Sequence, residues 1–597
     1  MRPTVEILEK INQNSNKNNE EIFTRLFRYL LREDVYYKAY QKLYANKGAS
    51  TKGVDNDTAD GFGQLKIERI IEALKNGTYI PKPVRRTYIA KNGNCTKLRP
   101  LGLPTFTDKL VQEVIRMVLE SIYEPLFADS SHGFRPKRSC HTALKSMRYG
   151  FSGIKWFIEG DIKGCFDNIN HKKLLEILGR KIKDNRFLQL INQFLKAGYL
   201  EEWVYHSTHS GTPQGGIISP ILANIYLNEL DKFVETTLKD KYHNPMKKST
   251  HPEYKRLDGM RYRAIKRIGE LEGEKRQEAV DELHEIQKQK LKLPSKVDEG
   301  QRLLYVRYAD DFIIGVDGSR ELCEEIKSAI KVFIKDELKM ELSGEKTLIT
   351  HSSEQARFLG YDLRVRRNNK IRKDHNGNKK RTLSKHLEYA IPFEKIDKFM
   401  FSKGIVEMKN GIPFPVKRKS LLRLTDLEVI TTFNSELRGI CNYYNLSANY
   451  HLLKFFRYCM EYSCLKTLCA KYKCSIGKIK TKFRDGRGKW AVPYDTKSGK
   501  KKMYLVTLND CKSQMAQDIL PKVEVWNKRT TTTLESRLKA KECEVCGATD
   551  SENYEIHHIN KVKNLKGKSH WERIMIAKRR KTIVVCHSCH INIHHKN

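Results

Sequence analysis

The chain has 597 residues, 39% of them hydrophobic, and a formal charge of +41 from 112 lysines and arginines against 71 acids. That excess goes far beyond what solubility requires and implies a polyanionic partner met over a long surface, nucleic acid fitting best. Length and apolar content predict several cores in three to five domains. The chain has no apolar run of about 18 residues and no hydrophobic signal after Met1-Arg2-Pro3-Thr4, which predicts a soluble cytoplasmic protein with no membrane partner.

Residues 1–80 alternate amphipathic helix patterns with polar linkers, the most open being a glycine-containing loop at 46–58. From 81 the pattern turns to mixed strands and helices. Residues 85–112 read as strand, loop, strand and helix, with Lys91, Lys97 and Arg99 on the strands; 131–144 (SHGFRPKRSCHTAL) carries Arg135 and Arg138. Two later segments, FIEGDIKGCFDNI (157–169) and LLYVRYADDFIIGV (303–316), place Asp161, Asp310 and Asp311 inside runs that otherwise read as buried strands. Unit charges about 4 Å apart repel by about 4 kcal/mol at an effective dielectric of about 20, so these acids can converge only around cations. Carboxylates shared with substrate phosphates are how Mg²⁺ is held. The second segment predicts a β-hairpin whose strands are 303–308 and 312–316 and whose turn is Ala309-Asp310-Asp311.

Between the acidic segments lies SGTPQGGIISPILANIYLNELD (210–231), and from about 232 to 300 Lys and Glu interleave at helical spacing, which predicts an insertion of exposed helices with RNA contact as an equal alternative. After the second acidic segment come ARFLGYDLRV (356–365) and a basic hairpin or link up to 385. Residues 387–485 are helical by period, with aromatic and aliphatic positions for a core and basic faces suited to RNA. Residues 486–538 are basic and partly strand-forming. The chain closes on Cys543-x-x-Cys546, His557-His558, Cys586-x-x-Cys589-His590 and His594. Four thiolates in two CxxC pairs suit one tetrahedral Zn²⁺, which contributes about 10–16 kcal/mol to a module too small to fold on its own core. His590 and His594, four apart, share a helix face on which they can hold a second cation with His557, leaving His558 free.

In this order the blocks resemble reverse transcriptases: 157–169 is similar to polymerase motif A, 303–316 to motif C, Pro213-Gln214-Gly215-Gly216 to the loop behind the incoming dNTP, and Phe358-Leu359-Gly360-Tyr361 to the segment holding the primer end. With LRGICNYY (437–444) resembling domain X, and an end that resembles HNH endonucleases, the whole chain resembles bacterial group II intron-encoded proteins. The resemblance implies a multidomain α+β fold. An N-terminal extension (1–80) would contact template and intron RNA, right-hand fingers and palm would occupy 81–386 with the insertion at about 232–300, and an α-helical thumb, domain X, 387–485. A basic DNA-binding region (486–538) and a ββα-metal HNH domain with zinc-ribbon-like cysteines (539–597) would follow.

It further implies two Mg²⁺ on Asp161, Asp310 and Asp311, and a dNTP site of Lys91, Arg99, Phe166 and Gln214, with Phe166 refusing a ribose 2′-OH. Arg135 and Arg138 would lie on template phosphates, Phe358, Leu359 and Gly360 on the primer, and Arg438, Asn442 and Tyr443 on RNA. In the nuclease His558 would be the general base and His557, His590 and His594 the ligands of a divalent ion, with Zn²⁺ on Cys543, Cys546, Cys586 and Cys589. Partners would be intron RNA, exon-junction target DNA and dNTPs, and a homodimer is compatible with this. One departure stands out: Lys581 takes the place of the asparagine that commonly precedes the last Cys-His segment, leaving Asn560 or Asn564. Two alternatives remain, an RNA-binding splicing factor that keeps the fold without polymerising, and a zinc-ribbon DNA-binding end.

Overall fold

The computed structural model describes the chain apart from residues 1–2, 92–93, 203, 209, 213–214, 246–248, 294, 298–299, 368–370, 374, 376, 378, 382–384, 487, 497–498, 516–533 and 596–597. The two acidic segments meet in one four-stranded antiparallel sheet, in the order Leu348–His351, Trp156–Asp161, Asp311–Val316, Leu303–Tyr308. Its strands read as continuous apolar runs because both faces are covered. Ile158, Ile314, Leu303 and Tyr305 point into one core, and Phe157, Ile313 and Val306 into another. The sheet is thus a wall between two cores. Asp311 belongs to its strand, paired with Tyr308, so the turn is the two-residue Ala309-Asp310 rather than the expected three.

On the first side the sheet packs on helices Phe106–Tyr123, Ser219–Phe233 and Arg320–Asp336, through residues such as Val114, Ile225 and Ile330. The same core takes in Tyr36, Tyr40 and Phe62 of the N-terminal extension and Ile556, Met575 and Val584 of the C-terminal module. On the second side it packs on the sheet Ala356–Phe358, Tyr361–Val365, Leu387–Ala390 and on helices Asp426–Tyr443 and Leu453–Tyr472. Thr425 and Glu428 start the first of these helices with a capping box. The hairpin Ala491–Thr496/Gly499–Tyr504 joins the same core, which continues through Val506 to Cys511, whereas the sequence reading ends the thumb at 485.

The expected insertion is an antiparallel pair of helices, Pro252–Glu270 and Glu274–Lys292, around a small core of Leu257, Ala264 and Ile286. It begins later than 232. Val234, Leu238 and Tyr242 are buried in the first core, carried by a π-helical stretch and a last helical turn, and the insert leaves the fold only where Asn244 and Gln301 exchange backbone hydrogen bonds of 2.8 and 3.0 Å. Among the described residues no helix is long and apolar enough to cross a membrane.

In the C-terminal module strands Tyr554–His558 and Thr582–Cys586 pair antiparallel and lead into helix His587–His595, a ββα unit. A third strand is added from the far end of the chain: Phe62–Gly63 pairs with Tyr554–His558 in the register Phe62↔Ile556 and Gly63↔Glu555. Phe62 is fully buried and stacks on Tyr40 at 3.9 Å.

Candidate functional site

Asp161 and Asp311 are cross-strand partners, and Asp310 stands in the turn beside them, its carbonyl accepting from Ile162 N–H at 3.4 Å. Burial in the cleft, then the charges of Asp310 and Asp161, push the Asp311 carboxyl up to about 7. Burial raises Asp310 as well, Asp161 adding to the rise and Lys346 and Arg99 opposing it. Acids that resist ionisation together are what a cation site requires, and Lys346 already answers the charge, its Nζ 2.8 Å from Asp161 Oδ2. The donor set therefore fits divalent ions held through carboxylates.

The turn is fixed from beneath by a fully buried arginine. Arg307 donates to both oxygens of Asp231 (2.7 and 2.5 Å), to Ser131 Oγ (2.9 Å) and to the Ala309 carbonyl (2.9 Å), while Tyr305 donates to Asp231 at 2.8 Å. Gly133 lets the 131–144 segment touch the same turn, since a Cβ there would lie 2.3 Å from Ala309 N. Arg135, expected on template phosphates, is instead occupied inside the fold. It is 7% exposed, pairs with Glu124 and donates to the carbonyls of Ala128 (2.7 Å) and Ser131 (2.8 Å). Arg138 remains near the surface, 2.7 Å from the exposed Asp129.

Phe166 is half-buried, edge-on to Phe134 at 6.1 Å, and its carbonyl accepts from Thr212 N–H at 2.7 Å. Arg99 is exposed on the strand Asn94–Leu103, and Lys91 ends the adjoining strand Val84–Lys91; Pro213 and Gln214 lie outside the described residues. Phe358 is buried at a two-residue turn of Leu359 (φ 47°) and Gly360 (φ 74°), a left-handed pair as type I′ hairpins require. Tyr443, expected as an RNA ligand, is a joint instead. Its hydroxyl donates to the Leu359 carbonyl (2.7 Å), and its own carbonyl accepts from Tyr361 and from His141 Nε2 (2.9 Å), tying palm to thumb. Asn442 is exposed and Arg438 half-buried on the same helix.

In the C-terminal module the ligand atoms of Cys543, Cys546, Cys586 and Cys589 lie within 4.8 Å of one another. Gly547, at φ 76°, closes the first knuckle with its N–H on the Cys543 carbonyl at 2.8 Å. A second group with the same spread is His557, His590, His594 and, unforeseen, Asp60. Glu555 accepts from His590 Nδ1 at 2.6 Å, which leaves Nε2 for a metal. Burial lowers His590, but Asp60 and Glu555 outweigh it and raise the imidazole to about 9. Burial would raise the Asp60 carboxyl, yet His557 and His590 hold it well below the usual range. His558 is buried at 9% exposure, and that burial lowers its pKa. Asn560 accepts from Ser50 Oγ at 2.5 Å, and Asn564 is exposed. The 46–58 loop, expected on RNA, lies partly against this module through Ser50, while Asp57 holds Lys66 and Thr107.

Three family models match: reverse transcriptase (RNA-dependent DNA polymerase) over 80–244 and 277–363, type II intron maturase over 384–530, and AI2M/AI1M-like HNH endonuclease over 543–590. The group II intron-encoded protein LtrA of Lactococcus lactis subsp. cremoris is 56% identical over 601 residues, with both chains covered in full. The chain belongs to the group II intron-encoded proteins. An uncharacterized 91 kDa protein in the cob intron of Schizosaccharomyces pombe is 36% identical, covering 95% of this chain and 69% of that one. The putative COX1/OXI3 intron 2 protein of Saccharomyces cerevisiae is 31% identical, covering 98% and 68%.

This group II intron protein is thus an RNA-directed DNA polymerase and a DNA endonuclease joined by a maturase unit. The sequence reading had grouped the three palm acids from their apolar strands and motif resemblance, and the four cysteines and three histidines of the intron protein from their spacing. It missed Arg307, Lys346 and Asp60. Arg307 stands within the quoted 303–316 segment, where an arginine inside an apolar strand was a signal open to use. Asp60 lies 498 residues from the His558 amide it accepts from, and no local pattern points to it.

Proposed function

We propose that the palm cleft copies intron RNA into DNA by two-metal nucleotidyl transfer, with Asp161 and Asp310 as ligands of two Mg²⁺ and Asp311 completing the cluster. The observation that carries this is the meeting at one cleft edge of Asp161 from one strand with Asp310 and Asp311 from the turn and start of its neighbour, with an ammonium drawn to Asp161. The ions would supply Lewis acidity where a primer 3′-OH meets the dNTP α-phosphate. The chain's own residues do the positioning. Arg99 and Lys91 meet the triphosphate, Gln214 backs the nucleotide, Phe166 refuses a 2′-OH, Arg138 meets the template, and the Leu359-Gly360 turn beside Phe358 lets the primer backbone come close.

Arg438 and Asn442 offer polar groups to intron RNA, and the basic region after the thumb meets exon-junction DNA. In the nuclease His558 takes the proton of the attacking water, His557, His590 and His594 hold the divalent ion, and the four cysteines hold Zn²⁺. The nicked strand then offers the 3′-OH from which the polymerase starts, in the cytoplasm of the host cell. Asp310→Ala should abolish extension of oligo(dT) on poly(rA) in Mg²⁺ while intron RNA affinity is retained. Loss of both in parallel would refute the separation of polymerase and RNA-binding roles.

A further inference from the structure

Asp60 ends the loop that leads into the strand the N-terminal extension adds to the nuclease sheet. Gly61 N–H donates to the Ile556 carbonyl at 3.1 Å, and Gly63 passes so close that a Cβ would lie 2.6 Å from the Tyr554 carbonyl. The docking brings the Asp60 carboxylate onto the histidines. One carboxylate oxygen accepts from His558 N–H at 2.6 Å and lies 3.2 Å from His557 Nδ1; the other lies 2.8 Å from His594 Nε2 and 3.4 Å from His590 Nε2. His557 is 4% exposed, and neither of its ring nitrogens makes a well-formed hydrogen bond among the described residues. The Nε2 atoms of His590 and His594 face each other at 3.3 Å. Imidazole nitrogens crowded around a carboxylate, one ring steered by Glu555, have the form of a ligand shell with its outer support in place.

Three nitrogens and one oxygen close a tetrahedron. A catalytic metal site keeps one position open for water or substrate, and a nuclease needs it for the scissile phosphate. Here that position faces a carboxylate, whose charge also opposes a phosphate. The same extension covers the rest of the catalytic face: Tyr44 lies edge-on over the His558 ring at 6.3 Å, and Ser50 donates to Asn560 at 2.5 Å.

We propose that Asp60 is the fourth ligand of the nuclease metal, and that through it the N-terminal extension holds the endonuclease closed until that carboxylate leaves the ion. This rests on the reading of His557, His558, His590 and His594 as a nuclease centre. It makes the endonuclease site composite, with its fourth ligand supplied by the opposite end of the chain.

The test uses the full-length protein with its cysteine site loaded with zinc. Co²⁺ is titrated and read in the visible bands of the four-coordinate ion, and hydrogen exchange follows residues 44–63 with and without metal. Asp60→Asn should weaken Co²⁺ binding by about 10- to 100-fold, as loss of even a supporting group does. It should also remove the metal-dependent protection of 44–63 and, at saturating Mn²⁺, nick supercoiled DNA faster than the unaltered protein. Unchanged Co²⁺ affinity, unchanged protection, or slower nicking at saturating Mn²⁺ would each overturn the proposal. His594→Ala separates the two readings. It should lose both the Co²⁺ bands and the nicking; if it does while Asp60→Asn binds Co²⁺ normally, the nuclease centre stands and Asp60 is no ligand. If His594→Ala keeps both, the centre itself is misassigned and the proposal goes with it.

Discussion

At the scale of single residues the palm is governed by one buried cation. Arg307 and Asp231 are both completely shielded, so each is tolerable only because of the other. Removing one partner of such a pair costs about 3–5 kcal/mol, since the remaining charge is left stranded. Arg307→Met should therefore lower stability in denaturant unfolding by about that amount. The double variant Arg307→Met with Asp231→Leu should recover most of it, yet kcat for primer extension should stay depressed, because the Ala309 carbonyl beside Asp310 has lost its donor. Full recovery of kcat in the double variant would mean that Arg307 serves stability alone. The contrast with the acids shows what single residues disclose. Asp161, Asp310 and Asp311 were readable because carboxylates in apolar strands have few explanations, whereas Arg307 in the same run needs a partner 76 residues away that no spacing identifies. Arg135 misled for a related reason, since a basic side chain in a loop shows its charge in the sequence but not the Glu124 carboxylate and carbonyls that surround it.

At the scale of elements, the alternation of charge read over about 232–300 falls on two helices, Pro252–Glu270 and Glu274–Lys292, and their small separate core explains why so few apolar residues suffice. The point of departure was hidden. Val234, Leu238 and Tyr242 keep the first core's helix running, but the π-helical stretch from 234 to 238 breaks the 3.6-residue period on which the sequence reading relied. Because Asn244 and Gln301 are hydrogen-bonded antiparallel partners, a two-residue hairpin turn can close the chain there. Replacing 245–300 by an Asn-Gly turn should leave a folded protein with near-normal primer extension, and intron RNA affinity would then report whether the insert contacts RNA. Insoluble protein, or extension lost with the fold intact, would show that the helices support the palm and are not an appendage.

At the scale of the whole molecule, the linear order of units was readable and their association was not. Motif order fixes which block follows which. It says nothing of a two-residue strand, Phe62–Gly63, that sews the first unit to the last. Tyr40, Phe62, Ile556, Val584 and Val585 lie in one continuous core, so the nuclease and the extension should lose order together. The four-cysteine cluster offers the handle, because a structural Zn²⁺ contributes about 10–16 kcal/mol and a module this small has little else to replace it. Chelating the Zn²⁺ proposed for the four cysteines, or making Cys543→Ser with Cys586→Ser, should raise hydrogen exchange throughout 543–595 and also in 59–63 and the helix end Tyr40–Tyr44. Amides of Trp156–Asp161 and Asp311–Val316 should keep their protection, since the palm sheet is held from both sides by helices that the module does not supply. Exchange confined to the module would mean that the shared core carries no coupling. Spread into the palm strands would mean that polymerase and nuclease are one cooperative unit, and in that case no variant of the nuclease could be read without its effect on DNA synthesis.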